Sequence, residues 1–326
     1  MRIARWRGPD GLGEGFVDGD AVIRFPDALT VSGVLARGLA ALPEIRAQVA
    51  GDPGIPLAEV QLLAPLVPAA IRDFVAFEEH VEGVTAGVEG QSEVVPEWYE
   101  LPTFYFTNPH TVLGPGEPLR PPVSERLDFE LELAAVIGGP GGSNLDAEAG
   151  AAAIFGYTVM NDWSARDLQR REMRVKLGPA KGKDFGTSLG PWIVTADEFA
   201  PYTDAEGFLA IRAEVRVNGE LVGEDLISNM GWPFGVLVAY ASRNSRVVAG
   251  DVLGSGTVGN GGCLAELWGR RGDLTPPPLV EGDEVHLRIE GIGDLVTRVG
   301  APVPAPALPA ARPRPRLRHR PGQSPS

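Results

Sequence analysis

Two glutamates on alternate positions of an apolar run, Leu127-Asp128-Phe129-Glu130-Leu131-Glu132-Leu133-Ala134-Ala135-Val136-Ile137-Gly138, constrain this chain more than any other segment. The run reads as a β-strand, and its period of two puts Glu130 and Glu132 on one face, with Phe129, Leu131 and Leu133 on the other. Two like charges side by side, in a stretch apolar enough to be buried, repel each other and lose hydration. Such a strand needs a positive group between its carboxylates, and a divalent cation is the simplest one. A Glu-x-Glu pair alone more often marks a solvated face. The metal reading therefore requires further ligands elsewhere in the chain.

Bulk properties narrow the options. The 326 residues, 44% of them hydrophobic, suffice for one large domain or two unequal ones with a real core. Lys and Arg total 29 against 43 Asp and Glu, a formal charge of −14. That balance argues against a nucleic-acid partner, because no basic excess exists to neutralise phosphates. The single cysteine, Cys263, excludes an intramolecular disulfide and a cysteine-based zinc cluster, and points to a reducing compartment. No stretch approaches the ~20 apolar residues of a membrane span. The segment Met1-Arg2-Ile3-Ala4-Arg5-Trp6-Arg7-Gly8-Pro9 lacks the apolar core of a signal peptide. The expected location is cytoplasmic, with no membrane partner.

Residues 1–68 read as a small N-terminal domain. It has strands near 2–6 and 15–22 around an Asp18-Gly19 turn, and a helix over 30–49 that Pro43 should break or kink. Residues 69–300 alternate short strands with Gly/Pro-rich connections, in keeping with 42 glycines and 30 prolines. Further strands are expected at 211–217, 247–254 and 284–289, and weak helices at 147–153 and 229–241. The fold class expected is mainly β with short helices (α+β), not a doubly wound parallel sheet. Residues 301–326, rich in Pro, Ala and then Arg (Arg312, Arg314, Arg316, Arg318, Arg320), read as a disordered tail.

Three segments supply what the glutamate pair asks for. Arg72-Asp73-Phe74 is followed by His80, seven residues after Asp73. Asn161-Asp162-Trp163-Ser164-Ala165-Arg166-Asp167-Leu168-Gln169 follows an apolar run. Lys181-Gly182-Lys183-Asp184-Phe185-Gly186-Thr187 packs lysines, glycines and a hydroxyl into one loop. In this order the segments resemble the fumarylacetoacetate hydrolase superfamily over residues 71–299.

The resemblance implies a mixed β-roll or β-sandwich catalytic domain behind a small N-terminal domain, in a homodimer. It places four carboxylate metal ligands on Asp73, Glu130, Glu132 and Asp162. An oxygen-only shell suits Mg²⁺ first, with Mn²⁺ or Ca²⁺ as alternatives. It places the catalytic histidine on His80, its acidic partner on Glu266, and a lysine near the substrate oxygen on Lys183. Arg166, Gln169, Gly186, Thr187 and Thr257 match substrate-side or supporting positions.

The implied activity is hydrolysis of a carbon–carbon bond in a β-diketo acid. His80 would take a proton from water while the cation and Lys183 stabilise the oxyanion. An isomerase, hydratase or decarboxylase of a 2-oxo acid in the same superfamily is the alternative, and a non-enzymatic metabolite- or cation-binding relative is another. The chain also departs from the pattern: Val75, Met173 and Glu89 stand where polar substrate grips are expected, and Phe106-Thr107-Asn108-Pro109 where one branch has Phe-Lys-Pro.

Other motifs lead nowhere. Gly254-Ser255-Gly256-Thr257-Val258-Gly259 has the dinucleotide-binding spacing, but Asn260-Gly261-Gly262 follows in place of a helix. Gly178-Pro179-Ala180-Lys181-Gly182-Lys183 is short of a P-loop, and Ser164 lacks nucleophile-elbow glycines. Arg166 and Asp167 are expected to pair with each other.

Overall fold

Every residue of the strand Leu131–Ile137 is buried, because both of its faces meet core. Leu131, Leu133, Ala135 and Ile137 enter the main hydrophobic cluster, with Phe129 just ahead of them. Ala134 and Val136 enter a second cluster on the opposite face. The period of two therefore holds from Leu131 onward, with Glu132 on the Ala134 side. Glu130 lies in a break between Leu127–Asp128 and Leu131–Ile137. Its N–H donates to Asn161 Oδ1 at 2.9 Å in place of a ladder partner.

The computed structural model describes residues 1–89 and 94–313. Its largest sheet runs Ile55–Pro56, Ala21–Arg24, Gly11–Asp18, Arg2–Gly8, Thr187–Thr195, Ile154–Asp162, Leu131–Ile137, Val252–Gly254, Ile71–Phe74, Phe104–Thr107. Along this order the pairs are antiparallel, except that Val252–Gly254 and Ile71–Phe74 run parallel. A second, four-stranded antiparallel sheet (Glu220–Leu226, Arg212–Val217, Glu284–Ile289, Gly293–Arg298) sends Val215, Leu287 and Leu295 into the main cluster. Helices are short, so the fold class is the sheet-dominated α+β expected. No helix among the described residues is long and apolar enough to cross a membrane.

The N-terminal region is not a separate layer. Arg2 pairs with Val194 and Ile3 with Ile193, and Ile3 and Phe16 share a cluster with Val136 and Leu189. Residues 1–68 thus extend the sheet of residues 69–300 and share its core. The expected helix over 30–49 breaks at Gly38, not Pro43. Gly38 sits at φ +80° after Val31–Arg37, a conformation costly for other residues. Pro43 falls in the first turn of Leu42–Gln48, where its missing N–H costs nothing. Of the expected tail, residues 301–313 are exposed, and Val303 N donates to Pro121 O at 2.8 Å. Residues 314–326, with Arg314, Arg316, Arg318 and Arg320, lie outside the described residues.

Candidate metal centre

Four neighbouring strands bring the expected ligands together. Asp73 sits opposite Gly254 on one side and Tyr105 on the other. Glu132 pairs with Met160, and Asp162 closes its strand opposite Thr187. One ligand oxygen from each of Asp73, Glu130 and Glu132 lies within 4.8 Å of the other two. Asp162 joins them through Lys183, whose Nζ donates to Asp162 Oδ2 at 2.7 Å and also contacts Glu130 Oε2. Tyr105 donates its hydroxyl to the same Asp162 oxygen.

The leftover oxygens fit a hard cation. Asp73 Oδ1, Asp162 Oδ1 and both Glu132 carboxylate oxygens are buried with no hydrogen-bond partner, a costly arrangement for a carboxylate unless a cation meets it. Gly254 keeps the space beside them open: a Cβ there would stand 2.6 Å from Asp73 Oδ1 and 2.7 Å from Glu132 Oε2. Burial, then Asp162, pushes the Asp73 carboxyl well above the usual carboxylate range. Burial, then Asp73, does the same to Glu132. Glu130 behaves oppositely. Burial pushes it up, but Lys183 and Arg166 outweigh that and hold it below the usual range. An all-oxygen donor set of this kind matches Mg²⁺, Mn²⁺ or Ca²⁺ rather than zinc.

A frame of charged groups holds this corner. Arg166 Nε donates to Asp128 Oδ2 at 2.8 Å, Nη2 lies 2.8 Å from Glu130 Oε1, and Nη1 donates to Gln169 Oε1 at 3.1 Å. The expected Arg166–Asp167 pair does not form, since Asp167 accepts from Ser124 and from Glu125 N. Asp128, fully buried, also accepts from Leu264 N and Ala265 N at 2.8 and 2.9 Å. The lysine loop is pinned by Glu172, which accepts from the N–H groups of Ala180, Lys181 and Gly182. Burial pulls the Lys183 ammonium down, but Asp162 and Glu130 outweigh it and keep Lys183 charged.

His80, on the helix Glu78–Glu89, is buried beside this corner. Burial lowers it to about 4 against the pull of Glu130, so the imidazole is neutral at neutral pH. The expected contact with Glu266 is not made. Glu266 Oε1 accepts from Gly261 N at 3.2 Å and meets Arg270 Nη2 at 3.0 Å, and its Oε2 is buried without a partner. The Glu266 side chain packs against Gly83, one turn along from His80, where a Cβ would approach Glu266 Cγ to 2.4 Å. His80 Nδ1 instead faces Cys263 Sγ at 3.7 Å.

The substrate-side positions divide. Arg166 and Gln169 are turned to the carboxylate frame and to each other, the arrangement of supporting positions. Gly186 has a packing reason, since a Cβ would meet Leu119 Cδ1 at 2.8 Å. Thr187 and Thr257 are buried, and Thr187 Oγ1 has no partner. Met173 is largely exposed. Four residues of the centre escaped sequence reading: Tyr105, Asp128, Gly254 and Cys263. Only Asp128 left a signal, as a third acid in the Glu-x-Glu run. Two surface clefts of about 410 and 320 Å³ gather around Tyr240 and Arg243 and include none of the four expected ligands.

Comparison with known proteins shows the family and the fold. Residues 69–300 match the family model of the fumarylacetoacetate (FAA) hydrolase C-terminal domain. The chain is 30% identical to the fumarylacetoacetase of Arabidopsis thaliana over 70% of its own length and 66% of that protein, just under two thirds of the relative. It is 30% identical to the oxaloacetate tautomerase YisK of Bacillus subtilis over 75% of this chain and 74% of that one. The solved fumarylacetoacetate hydrolase of Exiguobacterium antarcticum superposes with a TM-score of 0.68 at 27% identity, covering 92% of this chain and 99% of that one.

Proposed function

Because this chain belongs to the fumarylacetoacetate hydrolase family, we propose that it is a divalent-metal-dependent hydrolase cleaving a carbon–carbon bond in a β-diketo acid of the acylpyruvate or fumarylacetoacetate type. The observation that carries the reading is the buried His80 imidazole within 4.8 Å of Glu130, which itself clusters with Asp73 and Glu132, whose oxygens lack partners. A hard cation held by Asp73, Glu130, Glu132 and Asp162 would supply Lewis acidity toward the oxygens of a chelating oxo acid.

The chain's own groups do the rest. His80 takes the proton of the attacking water, whose oxygen bonds to the carbonyl carbon. The bond to the neighbouring carbon breaks, and its electron pair leaves as an enolate. His80 then returns the proton to that carbon, so charge and atoms balance. Lys183 keeps a fixed positive charge at the site in a water-poor setting, where it counts most. Arg166 orients Glu130 rather than substrate. Val75, Met173 and Glu89 replace the expected polar grips, which favours a smaller or less charged acyl group than fumarylacetoacetate carries.

One observation favours a second reading, an isomerase or tautomerase of a 2-oxo acid. Glu266 is spent on Gly261 and Arg270, so His80 lacks the carboxylate that would strengthen it as a base for water. Moving a proton between carbon and oxygen of an enol needs less. A panel of acylpyruvates and other oxo acids, followed by enol absorbance and product chromatography with Mg²⁺ or Mn²⁺, tests both. Two carboxylic fragments support hydrolysis, and keto–enol interconversion without fragments supports the second reading. Turnover that survives thorough chelation overturns both.

A further inference from the structure

Glu130 belongs to two ligand sets. Besides the oxygen set, its carboxylate, a ring nitrogen of His80 and Sγ of Cys263 each offer an atom within 4.8 Å of the other two, and all three residues are buried. His80 Nδ1 and Cys263 Sγ stand 3.7 Å apart. Bonds of about 2.0 Å to nitrogen and about 2.3 Å to sulfur, at a tetrahedral angle, set two ligands of one zinc ion about 3.5 Å apart. The observed pair needs almost no movement to reach that arrangement.

We propose that His80, Cys263 and Glu130 form a second, softer metal site, which takes Zn²⁺ or another thiophilic divalent cation and thereby withdraws His80 from proton transfer. The withdrawal rests on the role given to His80 above, while the binding itself does not. The donor types separate this site from its neighbour. Imidazole, sulfur and one carboxylate suit a borderline-soft ion, whereas the oxygens of Asp73, Glu132 and Asp162 suit a hard one.

The surrounding structure holds the thiol in place. Cys263 caps the helix Leu264–Arg271, with Sγ accepting from Glu266 N at 3.4 Å. Asp128 fixes the next two N–H groups, of Leu264 and Ala265. The cations nearest Glu130, Arg166 and Lys183, are shared with Asp128 and Asp162, so Glu130 is not the sole partner of either. The proton balance is simple: the thiol releases its proton to solvent as sulfur ligates, neutral His80 gives its lone pair, and nothing is oxidised or reduced. Three protein ligands leave a fourth position for water.

Cobalt reports the site directly. Co²⁺ is added to the full-length protein, without substrate, with Mg²⁺ in large excess to fill the oxygen set. The expected result is a near-ultraviolet thiolate-to-cobalt charge-transfer band that saturates stoichiometrically and is bleached by Zn²⁺. Cys263→Ser should abolish the band. His80→Gln, which keeps the sulfur, should weaken Co²⁺ binding by at least about tenfold. No band in the wild type, or the same band in Cys263→Ser, overturns the site. If Cys263→Ser does not fold, an unchanged Co²⁺ titration in His80→Gln overturns it equally. Zn²⁺ should inhibit the Mg²⁺-loaded enzyme, and an unaffected rate at saturating Zn²⁺ overturns the withdrawal of His80. A protein that shows the band yet turns over no oxo acid overturns the proposed hydrolase and supports the metal site.

Discussion

Arg72 and Asp73 are neighbours on one short strand, and alternation sends them to opposite sides of the sheet. On the first side Arg72 Nη1 meets Asp251 Oδ2 at 2.8 Å, Asp251 also accepts from Val248 N, and Arg72 Nη2 donates to Arg246 O. This buried acid is matched by a buried cation. On the second side Asp73 converges with Glu132, and oxygens of both lack any hydrogen-bond partner. Burial is alike on the two sides. What distinguishes a structural carboxylate from a ligand is the lone pairs left over after the protein's own donors are counted.

The largest expected effect falls on the unmatched side. Asp73→Asn or Glu132→Gln should lower activity by about a thousandfold or more, or ~4 kcal/mol of transition-state stabilisation, with loss of Mg²⁺ affinity by calorimetry. The same variants, stripped of metal, should be more stable than wild type by about 1–2 kcal/mol in thermal melts, because a buried acid that is costly to ionise has been removed. Lower melting of both metal-free variants would mean that these acids are structural after all. Asp251→Ala should behave in reverse. It strands Arg72 in the core and costs about 3–5 kcal/mol of unfolding free energy in denaturant titrations, with metal affinity unchanged. A matching loss of metal affinity there would break the contrast between the two sides.

Lys183 sharpens the comparison, because it matches Glu130 and Asp162 while standing among the ligands. Lys183→Met should lower kcat by about 10²–10³ with tighter apparent metal binding, since a competing cation is gone. Weaker metal binding would instead make Lys183 part of the scaffold that shapes the ligands.

Glu266 is intermediate, one oxygen matched and one not. Its carboxyl titrates at an ordinary value of 4.5 when unfolded, and burial raises it to about 7 in the folded protein. The folded state holds its proton longer, so this contribution to stability is complete below about pH 4.5 and is lost as pH rises through about 7. The loss is at most about 3 kcal/mol, the opposing pull of Arg270 included. Glu266→Gln should flatten the melting-temperature profile across that window. An unchanged profile would mean that Arg270 neutralises Glu266 fully.

How much could be read without the fold varied with distance along the chain. The strands Leu131–Ile137 and Glu284–Ile289 were legible because local alternation of apolar residues is a backbone property. The break of the N-terminal helix was assigned to Pro43, since a proline signals louder than a glycine. Gly38 ended the helix because only the folded chain shows its positive φ. That the N-terminal residues join the main sheet was not legible, because nothing in them records that Arg2 and Ile3 pair with Val194 and Ile193.

The sequence by itself showed that two alternating acids in an apolar run would need a positive partner, while the set of four acids came from the resemblance of its motifs to a family. The first could be read locally because hydration and repulsion belong to the groups themselves. Only the tertiary structure decided how the charges are shared. Arg166 turned out to serve Glu130, Glu266 to serve Gly261 and Arg270, and Cys263 to face His80. Those outcomes depend on ångström-scale approach between segments far apart in the chain, and side-chain pairing falls off over just that range.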